Sequence, residues 1–84
     1  MWYFYILQSS KDTNYFYKGS TNNMDRRLAQ HNNKKVISST PYAPFKLVYY
    51  EAYLTEAAAR GREKSVKQSG SISVPLLKRI KETL

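Results

Sequence analysis

The chain has 84 residues, 42% of them apolar, enough for one hydrophobic core and too few for two. With no cysteine and a single histidine, it excludes disulfide staples and ordinary zinc clusters. Its net charge of +8 divides as +4 over residues 1–52 and +4 over residues 53–84, so positive charge belongs to the whole domain and suits a polyanion, nucleic acid ahead of an anionic membrane surface.

In chain order, "WYFYILQ" (residues 2–8) is an aromatic and β-branched run that predicts a central strand buried on both faces. It lacks the basic flank and length of a secretion signal, and no stretch has the roughly 20 apolar residues of a membrane span. A cytoplasmic protein with no membrane partner is expected, in keeping with the missing cysteines. The polar cluster "SSKDTN" (9–14) turns the chain into a second strand, "YFYKGS" (15–20), and so short a loop predicts an antiparallel hairpin. Gly19 closes that strand. Asn22 or Asn23 can cap a helix whose first turn holds Asp25, with Met24, Leu28 and His31 on one face.

The basic stretch 33–44 contains Pro41 and Pro44 and reads as an irregular loop. "FKLVYYE" (45–51) is a third strand, and Thr55 is a natural cap for a helix over 56–68. Ser69 and Gly70 stop that helix, and Ser73 with Pro75 in the first turn opens a last amphipathic one, "VPLLKRIKETL". The expected architecture is one α+β domain over 1–84, a three-stranded antiparallel sheet flanked by helices in the order β-β-α-β-α-α.

Several chemistries are absent from the sequence. There is no G-x-x-x-x-G-K phosphate loop, no dinucleotide glycine fingerprint and no G-x-S-x-G elbow. What remains is a scatter of Tyr, Arg, His and Glu, and each has an ordinary reading when taken singly. Tyr5 and Tyr17, on neighbouring strands, could be core residues with their hydroxyls at the surface. Arg27 and His31, four apart on the first helix, could be a solvated face. Glu63, beside the small apolar stripe of Ala59 and Val66, could simply pair with a lysine.

The segments "YFYIL" (3–7) and "YKGSTNNMDRRLAQH" (17–31) resemble the two halves of the GIY-YIG nuclease signature, in the form carried by its small stand-alone branch. "PFKLVYYE" and "EAAARGREKSVK" are similar to the strand and the Glu-bearing helix that follow there, so the resemblance covers residues 2–68. It implies a metal-dependent endonuclease acting on DNA, ahead of RNA, with one Mg²⁺ or Mn²⁺ and a role of the DNA-repair type. A protein partner could supply the specificity that a second module gives other members.

Carried over residue by residue, the resemblance implies that Tyr5 and Tyr17 are the two motif tyrosines and Gly19 the motif glycine. Arg27 becomes the phosphate-binding arginine, with Arg26 next to it, and His31 the motif histidine. Glu63 becomes the metal-binding carboxylate, with Glu56 the alternative. Lys18, Lys34 and Lys35 join Gly19 and Arg26 as expected nucleic-acid contacts. Tyr5, Tyr17, Arg27, His31 and Glu63 are then expected to converge on one concave surface.

The chemistry asks for this set. Phosphodiester hydrolysis needs an activated water and neutralised phosphoryl oxygens. A hard cation prefers few carboxylates plus waters and phosphate oxygens. A planar guanidinium grips phosphate bidentately. A phenol titrating near 10 needs help to act as a base, and a histidine can orient it or move its proton.

Two features depart from the family pattern. "YKG" puts Lys18 where an apolar residue is usual, with an exposed charge expected opposite Tyr17. Residues 64–84 contain neither the late asparagine nor the further histidine of larger members. A non-catalytic nucleic-acid-binding module of the same fold, and a small basic subunit docking an acidic protein, are the rival readings.

Overall fold

The computed structural model describes residues 1–84. Its elements are β1 (Trp2–Ser9), β2 (Phe16–Thr21), α1 (Met24–Asn32), a short 3₁₀ turn (Thr40–Tyr42), β3 (Phe45–Tyr53), α2 (Glu56–Gln68) and α3 (Gly70–Glu82). The three strands form one antiparallel sheet in the order β2-β1-β3. The fold class and element order match the sequence expectation, and β1 is the central strand, buried from Phe4 to Ser9.

Strand alternation sends β1 side chains into two separate cores. Phe4 and Ile6 pack with Val66 of α2 and with Leu76 and Ile80 of α3. Tyr5 and Leu7 face the other way, toward Phe45, Ala43 and the partly buried Tyr17, Met24 and Leu28. The sheet therefore has α2 and α3 on one face, and α1 with the 33–44 segment on the other. Full burial of each large side chain contributes about 2 kcal/mol, and sheet, α1 and α2 all depend on β1 for it.

Local signals set the ends of the helices. The Asn23 side chain accepts from the Arg26 N–H and caps α1. Thr55 does the same for α2 through the Ala58 N–H. At the far end of α1, Asn32 clamps the first residue of β3, accepting from Phe45 N–H at 2.6 Å and donating to its carbonyl at 3.1 Å. Lys34 then adopts a left-handed φ of 59° to leave the helix.

Three expectations are corrected. The last helix begins at Gly70 instead of near Ser73: the Ser69 carbonyl accepts from Ile72 and Ser73 N–H, so one residue ends α2 and starts α3. Pro75 consequently sits inside the helix, past the first turn, where its missing N–H frees an exposed carbonyl. The 33–44 segment is not wholly irregular, because Pro41 suits the first turn of the 3₁₀ helix and Tyr42 stacks on Tyr15 at 3.6 Å. Lys18 is half-buried: β2 alternation turns it toward α2, and burial followed by the charge of Lys67 lowers its pKa.

On the α2 face, Glu51 accepts from Tyr49 Oη and Tyr53 Oη and takes two bonds from Arg62, at 2.9 and 3.1 Å. Burial alone would raise its pKa, but the bonds from Arg62, Tyr49 and Tyr53 outweigh it and hold the carboxyl below the usual range. This clamp fastens α2 to β3. Glu51→Gln should cost about 1–3 kcal/mol of unfolding free energy at neutral pH, read by urea denaturation. Because the folded pKa is depressed, the parent loses this contribution as the pH falls through the carboxylate range, and the two proteins should converge in acid.

Candidate active site

A polar cavity of about 550 Å³ opens along β2, an edge strand of the sheet. Its wall takes Tyr5, Tyr17, Gly19 and Arg27 from the α1 side, and Ser20, Arg60 and Glu63 from the α2 side. Alternation along β2 explains how one cavity joins two faces. Tyr17 and Gly19 pair with Leu7 and Tyr5, while Ser20 pairs with Phe4 and so turns toward α2. The site wraps over the strand edge.

Tyr5 crosses behind β2 to reach α1, and Gly19 makes that crossing possible. A Cβ at position 19 would run into the Tyr5 hydroxyl and ring, inside any permitted contact. The Tyr5 hydroxyl receives a bond from Arg27 Nε at 3.3 Å and lies 2.9 Å from His31 Nε2. His31 Nδ1 lies 2.7 Å from Ser39 Oγ, which contacts the Val36 carbonyl at 3.2 Å. Counting donors assigns the hydrogens. Arg27 can only donate, so the Tyr5 proton goes to His31 Nε2. Nδ1–H then goes to Ser39, and the serine proton to Val36. The relay starts at the cavity wall and ends in the 33–44 segment.

Burial tunes both members. It pushes the Tyr5 phenol up to about 12, against the opposing hydrogen bond and charge of Arg27. It pushes His31 down to about 4, helped by the charge of Arg27. At neutral pH both are uncharged, and Arg27 is the only charged group bonded to the phenol.

Across the strand edge, both oxygens of Glu63 are engaged, Oε1 by Ser20 Oγ–H and Oε2 by Lys67 Nζ, each at 2.6 Å. Glu63 is the single carboxylate on a wall that carries Arg26, Arg27 and Arg60. Nowhere does the chain gather three or more His, Cys, Asp or Glu side chains as a metal cluster.

Of the five residues expected to converge, Tyr5, Tyr17, Arg27 and Glu63 line the cavity. His31 is fully buried behind Tyr5, packed edge-on against the Tyr17 ring at 4.5 Å. Arg26 and Gly19 also line the cavity, whereas Lys18, Lys34 and Lys35 do not. Glu56 pairs with Arg60 at 2.6 Å and lies off the wall.

Sequence reasoning passed over Ser20, Ser39, Arg60 and Lys67. A signal for two of them existed: Glu56, Arg60, Glu63 and Lys67 recur at helical spacing and form one alternating-charge stripe of α2. Ser39, eight residues beyond His31 in an apparent loop, carried none.

A small α+β domain with a tyrosine pair, an arginine and a lone glutamate around a cationic cleft has the form of a nuclease-type domain. The family model of the GIY-YIG catalytic domain matches residues 1–71, and the chain belongs to that family. It is similar to the UPF0213 protein CPE1444 of Clostridium perfringens, with 36% identity over 67 residues, or 79% of this chain and 70% of that protein. No solved structure matches it significantly. No helix is long and apolar enough to cross a membrane.

The depressed His31 pKa has a consequence for stability. Above the unfolded value of about 6.5 the residue is neutral in both states. Below it, only the unfolded chain binds the proton, so stability should fall from there toward pH 4, by on the order of 3 kcal/mol at the lower end. His31→Gln should be less stable at pH 7 yet show a flatter pH dependence between 7 and 5, measured by thermal melting.

Proposed function

We propose that the chain is a metal-dependent endonuclease that hydrolyses phosphodiester bonds in nucleic acid, DNA ahead of RNA. The observation that carries this reading is the Arg27–Tyr5–His31 relay opening into a cationic cavity whose sole carboxylate is Glu63.

The donor set fits a hard divalent cation such as Mg²⁺ or Mn²⁺. One carboxylate on an open polar wall suits an ion that keeps most of its waters and takes substrate phosphate oxygens. Glu63 would hold it, with the Ser20 hydroxyl fixing the carboxylate. A bound cation supplies Lewis-acid neutralisation of the phosphoryl and leaving oxygens.

The chain's own residues do the rest. Arg27 and Arg26 hold the phosphate, with Arg60 facing them across the cavity. Tyr5 accepts the proton of the attacking water as its own proton passes to His31 Nε2. The oxygen of that water bonds to phosphorus as the bond to the leaving sugar oxygen breaks, and the sugar oxygen takes up a proton from solvent. Burial and, after it, the charge of Arg27 depress His31; phosphate bound at Arg27 screens the second of these and makes the imidazole a better acceptor at the moment it is needed. Tyr17 shields the relay: it stacks near Tyr5 at 6.4 Å and lies under Lys67 Nζ at 5.9 Å.

Glu63→Gln keeps shape and removes the charge that would hold the cation. Cleavage of branched, single-stranded or duplex DNA in Mg²⁺ or Mn²⁺ should fall by several orders of magnitude, while binding persists or tightens. Equal nicking by parent and variant would overturn the reading.

Binding itself should weaken steeply with salt through counterion release. Titration of a labelled oligonucleotide between about 50 and 200 mM salt checks this, and a flat dependence would favour docking to an acidic protein.

A further inference from the structure

We propose a base-stacking subsite beside the phosphate cavity, formed by Tyr3 and Tyr50, which directs the protein to strands carrying an unpaired nucleotide. The inference rests on the nucleic-acid reading above and names the substrate form that reading leaves open.

A second cavity, of about 390 Å³, lies between the start of α1 and the face of β3. Tyr3, Tyr50 and Leu47 come from the sheet, and Asn22, Met24 and Asp25 from the entry to α1. The Tyr3 and Tyr50 rings meet edge to face, with centroids 5.9 Å apart and planes at 72°, so one ring presents its edge and the other its face. Tyr50 is 56% exposed, a large aromatic surface left in water, and Tyr3 beside it is half-buried.

The two cavities adjoin in the fold. Asn22 lines both. Tyr50 is the β3 partner of Tyr5, and Tyr3 is the β1 partner of Thr21, which lines the phosphate cavity. A chain whose phosphate sits at Arg26 and Arg27 therefore passes over the start of α1 with its next residue at Tyr50.

Charge selects the occupant. The domain carries +8, which opposes a second copy and favours a polyanion. Asp25, exposed on the rim, repels a phosphate or an acidic peptide but accepts hydrogen bonds from the amino edge of a base. A flat base on tyrosine rings, with its phosphates drawn to the neighbouring arginines, satisfies both cavities together. A base inside a stacked duplex cannot enter, so an unpaired nucleotide is required.

The test uses the full chain in chelator, so that no cleavage intervenes. Oligonucleotides carrying 2-aminopurine, single-stranded or annealed into duplex, are titrated with parent, Tyr50→Ala and Tyr50→Trp. Parent binding should quench the probe in the single strand. Tyr50→Ala should weaken single-strand affinity about tenfold and abolish the quench, with duplex affinity within about twofold of the parent. Tyr50→Trp should keep both affinity and quench, and it carries the test if the alanine variant fails to fold. Equal losses on both substrates, or no quench by parent and tryptophan variant, would overturn the subsite. So would a Tyr50→Ala effect confined to sedimentation, which marks an interface between copies. If the parent binds no nucleic acid, the proposed function falls with the subsite; if it binds and Tyr50→Ala matches it, the subsite alone falls.

Discussion

Tyr5 has to pass β2 to touch α1, and the missing side chain at Gly19 is the space through which it passes. The Arg27 bond to the phenol, the burial of His31 and the engagement of Ser39 all follow from that crossing. A methyl group at position 19 would push the Tyr5 ring back. It would separate Arg27 from its acceptor and leave a buried imidazole nitrogen without a partner, a cost of about 1–3 kcal/mol. The same contact thus orders the domain and shapes the candidate site. Asn32 serves the arrangement from a distance, because its paired bonds to Phe45 fix α1 against the sheet that carries Tyr5.

Electrostatically the site has two halves separated by one strand. On the α1 side a guanidinium lies against an uncharged phenol and imidazole, held so by burial. On the α2 side a carboxylate lies within an alternating stripe, its oxygens satisfied by a serine and a lysine. Lys67 occupies Glu63 in the way a cation would, on a flexible and half-exposed stem. Such a pair holds the carboxylate in place and, at a half-exposed position, contributes little to stability. The Glu51–Arg62 pair, better covered and hydrogen-bonded on all sides, anchors the same helix and does not open to the cavity.

Much of the architecture was legible in the residues. The unbroken apolar run of β1 announced a central strand, because only a strand covered on both faces can bury successive residues. The Asn22–Asn23 pair and Thr55 marked helix starts through their side-chain oxygens, and the structure gives the first cap to Asn23. The start of α3 was misread because Pro75 suits a first turn so well; its N–H is missing wherever it falls, and an exposed carbonyl tolerates the loss. Lys18 was misread because alternation on a strand tells which side a residue faces and says nothing of what covers that side.

By itself the sequence determined the element order, the positive field and a family signature in which Tyr5, Tyr17, Gly19, Arg27, His31 and Glu63 stand in order. Each of these depends on composition or on spacing of a few residues along the chain. Only the tertiary structure decided that His31 lies behind Tyr5 and not on the wall, that Ser39 completes the relay, and that Ser20 reaches Glu63. Those contacts join residues 8, 26 and 43 positions apart, or lie across the edge of a strand. Burial, which sets the protonation of Tyr5 and His31, arises only when both faces of β1 are covered at once.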